Sequence, residues 1–200
     1  MLRIVAIIFL AITALIPMAA ADQEETEDLF NLQTTKQISY LLQQHDAGRT
    51  LSGSVTLLLT HDALEPFYAT RDFRPLWQDG PWLHPAARIL IEHLRGAAEQ
   101  GLCSDAYLIE ELEGFLRFYD GFFRYNLPLA PFNRALFDLY LTQGFLTYAA
   151  HLVEGQVDPA LTHVDWRARR RKADLTKLLN YAIQNNRLQQ VLDGLMPQHE

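Results

Sequence analysis

The chain has 200 residues, 49% of them hydrophobic and 20% charged, and its formal net charge is −7. This composition is typical of a folded globular protein and excludes a disordered one. The acidic balance argues against nucleic acid as a partner, because binding to phosphates needs a basic surface. The length suits one domain of ordinary size, with or without a tail.

The first residues have the pattern of a cleavable secretory signal peptide. Arg3 gives a positive start, residues 4–17 form an apolar run, and Ala19–Ala21 offer small residues to a signal peptidase. We expect cleavage after Ala21, with cleavage after Ala20 as the alternative. The apolar run is short for a membrane span, so an uncleaved anchor is the less favoured interpretation.

An acidic lead-in, residues 22–60, follows the predicted signal peptide at residues 1–21. The acidic composition of residues 22–31 predicts that they are loosely ordered. Apolar residues at helical spacing then predict a short amphipathic helix from about Leu32 to His45. The helical domain itself is predicted over residues 61–200.

Several segments after the lead-in have the periodicity of helices. A helical turn is predicted at Leu64–Thr70, and a longer helix at His84–Gln100 has its apolar residues on one side. Gly101 stands where a left-handed C-terminal cap is wanted. Ser104 is predicted to be the N-cap of the following helix. Two short helices, at Asp174–Ile183 and Arg187–Leu195, are predicted near the end of the chain, the first capped by its own Asp174.

The segment from about residue 131 to residue 154 is predicted to be a helix that is apolar on nearly all sides. Such a helix lies either in a bilayer or at the centre of a core. Its polar residues decide between the two, because they would be expensive to place in a bilayer. These residues are Asp138, Thr142, Gln143, Thr147 and His151. The sequence therefore predicts a mostly α fold, a compact multi-helix bundle around a central apolar helix.

No pattern in the sequence indicates a catalytic, cofactor or metal site. The single cysteine, Cys103, has no neighbouring pattern typical of a thiol nucleophile, and we expect it to be inert. The seven histidines include no pair spaced i, i+4 with an acidic partner, the arrangement typical of a zinc helix. The basic run Arg167–Lys172 is expected to be a solvated face; binding to an anionic polymer or membrane is the alternative.

Asp138 and Thr142 lie one turn apart on the predicted central helix. A buried carboxylate must find hydrogen-bond donors, so we predict a core polar network around this pair. A catalytic acid is the less favoured alternative. The donors expected from the sequence are Arg71, Arg74 or Arg134.

Four segments in this order resemble a known family: "EPFYATRDFRPLWQDG", "EHLRGAAEQGLCSDAY", "LFDLYLTQGFLTYAAHLVEGQVDPALTHVDW" and "LQQVLDGLMPQH". Together they are similar to the N-terminal helical scaffold domain of large periplasmic L,D-transpeptidases, over about Leu64 to His199. The third segment is the strongest match. Its matching residues are Leu141, Thr142, Tyr148, Gly155, Val157, Asp158, Pro159 and Trp166.

The resemblance implies a non-catalytic periplasmic scaffold linked to peptidoglycan cross-linking. Family members continue into a peptidoglycan-binding module and a catalytic domain with a Ser-His-Gly-Cys motif, neither of which this sequence contains. Cys103 lies in the scaffold-like part and is not expected to replace that nucleophile. The alternative is an N-terminal fragment of a truncated or split L,D-transpeptidase, whose catalytic domain lies on a missing segment or another chain.

The partners expected from the resemblance are a peptidoglycan-synthesis protein, a catalytic L,D-transpeptidase domain or peptidoglycan itself. Protein interfaces favour large aromatic side chains. We therefore predict that Trp77, Trp82 and Tyr107 contribute to an interaction surface.

Overall fold

The computed structural model describes residues 25–43, 62–125, 129–154 and 173–196. Within these ranges the chain forms seven α-helices and one two-stranded hairpin, which confirms the predicted mostly helical fold. The predicted signal peptide and the basic run Arg167–Lys172 lie outside the described residues.

Helix α1 covers residues 25–43 and is followed by α2 (Leu64–Ala69) and the antiparallel hairpin of β1 (Gln78–Asp79) and β2 (Trp82–Leu83). The remaining helices are α3 (Pro85–Arg95), α4 (Ile109–Tyr125), α5 (Pro131–Glu154), α6 (Leu175–Gln184) and α7 (Leu188–Leu195). Two 3-10 turns, Gly96–Gln100 and Ser104–Tyr107, join α3 to α4.

Helix α5 is the centre of the fold, with the bounds that its sequence predicts. Every residue from Arg134 to Leu146 is buried, and α5 packs against α2, α3, α4, α6 and α7. A helix surrounded in this way must be apolar on all sides, which explains its weak amphipathicity. No helix among the described residues is long and apolar enough to cross a membrane.

Helix α1 corrects the prediction for the lead-in. It begins at residue 25, so residues 25–31 are helical rather than loosely ordered. The reason is its inner face, where Ile38 and Leu41 are fully buried in the core. The acidic residues lie mostly on the outer side and do not oppose docking.

The connection between α3 and α4 departs from the prediction at one point. Gly101 has a φ of 76° and caps the first 3-10 turn in the left-handed conformation, as expected. Ser104 is not the N-cap of α4; it is the first residue of a second 3-10 turn, Ser104–Tyr107. Leu108, with a φ of 57°, breaks that turn, and α4 begins at Ile109. This turn brings Tyr107 into the core, where it is fully buried.

The predicted cap of α6 is confirmed, because the Asp174 carboxylate accepts a hydrogen bond from the Lys177 amide. An N-cap of this kind satisfies one of the free amides at a helix start.

Candidate functional site

Asp138 lies at the centre of a buried polar cluster on α5. Its Oδ1 accepts hydrogen bonds from the Tyr68 hydroxyl at 2.6 Å and the Leu76 amide at 2.9 Å. Its Oδ2 accepts from the Trp77 amide at 2.9 Å and from Gln78 Nε2 at 3.1 Å. All four donors come from α2, β1 and the irregular segment between them. The carboxylate therefore fastens this segment to the central helix.

Thr142 extends the cluster by one turn of α5. Its Oγ1 accepts from Trp77 Nε1 at 2.9 Å and lies 2.7 Å from the Tyr68 hydroxyl oxygen. Since Tyr68 donates its proton to Asp138, the Thr142 proton goes to Tyr68 or to the Asp138 carbonyl at 3.1 Å. The Thr142 hydroxyl thus both donates and accepts. A fully satisfied network of this kind stabilises a core, whereas a partly satisfied one destabilises it.

Burial controls the ionisation of this cluster. Burial raises the pKa of Asp138, while hydrogen bonds from Leu76, Tyr68 and Trp77 oppose the rise. Burial and the neighbouring carboxylate raise the pKa of Tyr68. Asp138, Tyr68 and Thr142 are all 0% exposed. Because their bonds are directed to each other and to the backbone, this geometry suits a structural role rather than that of a catalytic acid.

Arg134 is also buried, but its hydrogen bonds go to acceptors other than Asp138. Its Nε donates to Gln78 Oε1 at 3.1 Å, its Nη2 to the Gly80 carbonyl, and its Nη1 to the Phe30 carbonyl at 3.3 Å. The guanidinium lies 4.7 Å from the centre of the Phe30 ring. Arg134 therefore joins α5 to the hairpin and to α1.

The prediction that an arginine donates to Asp138 is therefore wrong. Backbone amides and neutral side chains already occupy both oxygens of the carboxylate. Arg71 instead donates to the carbonyls of Arg74 and Pro75, at 2.9 and 3.0 Å. Its charge acts on Asp138 only at longer range, by lowering the carboxyl pKa.

A second polar cluster lies near the C-terminal end of α5. The Tyr107 hydroxyl is 2.8 Å from His151 Nδ1, and the Tyr148 hydroxyl donates to Gln100 Oε1 at 2.7 Å. The Tyr107 and Tyr148 rings meet edge to face at 5.4 Å. Burial lowers the pKa of His151 and raises the pKa of Tyr107 to about 12. A neutral imidazole beside a protonated phenol suits a single hydrogen bond between them.

The three aromatic residues of the predicted interaction surface are not on one surface. Trp77 and Tyr107 are 0% exposed, so for them the prediction is wrong. Their polar atoms find partners inside the protein, Trp77 on Thr142 and Tyr107 on His151. Trp82, on β2, is 44% exposed.

A cleft of about 590 Å³ lies between α1 and the segment Arg71–Asp79. Its walls carry charges of both signs, including Asp28 on α1 and Arg74 on the opposite side. Among the described residues there is no group of three or more His, Cys, Asp or Glu side chains placed to hold a metal ion. Cys103 is exposed in the loop between the two 3-10 turns.

Comparison with known families identifies the family to which this domain belongs. A family model described as a Scaffold domain matches residues 62–200. The chain belongs to the L,D-transpeptidase scaffold domain family. The match includes helices α2 to α7 and begins after α1. Neither a curated protein nor a solved structure matches this chain significantly.

Proposed function

We propose that this chain is a non-catalytic periplasmic scaffold that supports peptidoglycan cross-linking by binding another protein of that machinery. The observation that carries the proposal is the family match over residues 62–200. The resemblance implies that the catalytic step of this family belongs to a separate domain, so we expect the scaffold to act by binding a partner.

The geometry of the core supports a non-catalytic role. Asp138, Tyr68 and Thr142 are each 0% exposed, and their side chains bond to each other. A catalytic acid must reach its substrate within hydrogen-bond distance, directly or through one water. A carboxylate enclosed in this way has no such reach.

The proposal is tested in cells that lack the chain. We expect the fraction of 3-3 cross-linked muropeptides to fall in its absence and to recover when the wild-type chain is restored. A Cys103→Ser chain should restore it equally well, because the thiol has no part in the proposed role. An unchanged cross-link fraction in the deleted strain would contradict the link to the cell wall. Failure of Cys103→Ser alone would contradict the non-catalytic role.

Trp82 is the residue of the predicted surface that the structure leaves partly exposed, at 44%. Aromatic side chains anchor many protein interfaces. A photo-crosslinking residue at position 82 should capture a peptidoglycan-synthesis protein or a catalytic L,D-transpeptidase domain. Position 181 is the matched control, since Tyr181 is 47% exposed but lies on α6. Equal capture from both positions, or capture of unrelated proteins only, would remove Trp82 from the proposed surface.

The alternative is that the chain forms part of a truncated or split L,D-transpeptidase, and the family name itself favours this second candidate. The intact mass of the protein recovered from the cell envelope distinguishes the two. A mass equal to that of residues 22–200 supports a free-standing scaffold and cleavage after Ala21. A much larger species supports the transpeptidase.

Direct binding to peptidoglycan is tested separately with purified sacculi. Binding that is saturable and survives added salt would support it, because salt screens simple charge attraction between exposed groups. Absence of binding would leave a protein as the partner of the scaffold.

A further inference from the structure

Helix α1 lies outside the family match, which begins at residue 62, yet it is docked on the domain. Thr34, Ile38 and Leu41 are each 0% exposed, so one face of α1 enters the core at helical spacing. An amphipathic helix laid into an apolar groove is a common mode of peptide recognition. The contacts of α1 with the hairpin show how such recognition is achieved here.

Asn31 holds the turn of the hairpin with both ends of its side-chain amide. Its Oδ1 accepts a hydrogen bond from the Gly80 amide at 2.9 Å, and its Nδ2 donates to Asp79 Oδ1 at 3.1 Å. A side-chain amide has one acceptor and two donors, so this residue type matches a turn that presents an N–H beside a carboxylate.

Gly80 allows α1 to come this close. It has a φ of +55°, a conformation that side chains with a Cβ rarely adopt. A Cβ at this position would lie 2.6 Å from Cγ and 3.1 Å from Cα of Glu27 on α1. The turn is thus shaped to receive the backbone of a helix.

Arg134 approaches α1 from the core side. Its guanidinium donates to the Phe30 carbonyl at 3.3 Å and lies 4.7 Å from the centre of the Phe30 ring. The same carbonyl accepts a hydrogen bond from the Thr34 hydroxyl at 2.9 Å. The Phe30 carbonyl therefore has two side-chain donors, one from α1 itself and one from the central helix.

We propose that the hairpin turn and Arg134 form a helix-recognition surface of this domain and that α1 is its exchangeable intramolecular ligand. The surface selects an amphipathic helix with an aromatic residue and an asparagine side by side, followed by apolar residues seven and ten positions after the asparagine. In α1 these are Phe30, Asn31, Ile38 and Leu41. The proposal does not depend on the function in the cell wall.

The test uses the folded full chain with a protease recognition sequence placed between residues 44 and 61. After cleavage, a fluorescent synthetic peptide of residues 25–43 is added, and its anisotropy is followed. We expect saturable binding that unlabelled peptide reverses, while circular dichroism shows that the rest of the domain stays folded. If α1 does not exchange, or leaves only when the domain unfolds, α1 is an ordinary core helix and the proposal is wrong.

Two peptide variants test the recognition by Asn31. Asn31→Ala should bind roughly tenfold more weakly, because it loses two partly exposed hydrogen bonds to the hairpin. Gln33→Ala is the control, since Gln33 is exposed on the same helix. Equal affinities for the two peptides would show that the hydrogen bonds of Asn31 do not contribute to recognition, and the proposal would be wrong on this point.

Gly80→Ala tests the same surface in the uncut chain. Amide hydrogen exchange should become faster in α1 and stay slow in α5, because the new methyl group meets Glu27. Gly101→Ala is a matched control, since Gly101 also has a positive φ but has nothing within 4 Å of its Cβ position. If both variants leave α1 equally protected, the turn does not control docking and the proposal fails.

Discussion

The two halves of α5 hold their polar side chains in different ways. In the N-terminal half, Asp138 and Thr142 are fully buried, and each has several partners from distant segments. In the C-terminal half, His151 is only partly buried and bonds the Tyr107 hydroxyl. Removing a group from the first cluster leaves buried donors without acceptors, whereas the second includes one side chain, His151, that is partly exposed to water. The same helix therefore carries a structural cluster at one end and a more tolerant pair at the other.

The substitution with the largest expected effect on stability tests the apolar core that both halves of α5 share. Leu146 is 0% exposed on α5, and Leu146→Asp places a carboxylate there without a partner. We expect this variant to be unfolded, as measured by circular dichroism and thermal melting. Leu29→Asp is the control, because Leu29 is 53% exposed on α1. A cooperative melt of Leu146→Asp near the wild-type temperature would show that this face of α5 is not packed as described.

The next effect tests the N-terminal cluster itself. Asp138→Asn replaces one carboxylate oxygen by an NH₂ group, so in either orientation of the amide one backbone N–H, that of Leu76 or that of Trp77, loses its acceptor. We expect a loss of roughly 3 kcal/mol in the free energy of unfolding, measured with urea. Asp120→Asn is the matched control, since the Asp120 side chain is 55% exposed in a surface pair with Arg88. Its expected loss is below about 1 kcal/mol. Equal losses would remove the distinction between buried and exposed carboxylates.

A pair of identical substitutions compares the two halves directly. Tyr68→Phe removes a hydroxyl that bonds both Asp138 and Thr142, and we expect a loss of roughly 2–3 kcal/mol. Tyr107→Phe removes the bond to His151, where water can substitute, and we expect about 1 kcal/mol. Urea unfolding of both variants measures the difference. A larger loss for Tyr107→Phe would reverse the proposed order of the two clusters.

The central helix was predictable because its signals are local. Pro131 begins it, the surrounding residues are apolar on all sides, and Asp138 and Thr142 stand four positions apart. The partners of these residues were not predictable. Tyr68 and the Trp77 amide are 70 and 61 positions away from Asp138, and nothing in a one-dimensional pattern names a distant backbone amide as a donor. The negative charge of Asp138 suggested arginine donors, but neutral donors occupy both of its oxygens.

The errors on aromatic residues have a related cause. Trp77 and Tyr107 were predicted to lie on a surface because protein interfaces favour large aromatic side chains, but their rings also carry polar atoms. Both atoms are satisfied inside the core, and only the three-dimensional arrangement reveals the partners. The start of helix α1 was mispredicted for a different reason, because its apolar periodicity is visible in the sequence. Phe30, Ile38 and Leu41 recur on one face, but the acidic composition of the first residues concealed this pattern.

The smallest effect concerns pH and the C-terminal half of α5. Burial holds the pKa of His151 below its usual value of 6.5, so the unfolded chain binds a proton more readily than the folded one. Its contribution to stability is therefore complete above pH 6.5 and is lost as the pH falls toward the lowered pKa. His84 also contributes stability that is lost as the pH falls, because burial lowers its pKa as well. Asp138 has the opposite sign, since its raised pKa makes protonation favour the folded state.

A His151→Gln variant isolates the contribution of that one side chain. His84 and Asp138 titrate equally in both proteins, so the difference between them belongs to His151. Urea unfolding between pH 7.5 and pH 5.5 should show that the wild type loses stability faster than the variant as the pH falls. If the two curves run parallel, His151 is as well solvated in the folded state as in the unfolded one. The two halves of α5 would then differ in their hydrogen-bond partners but not in their access to protons.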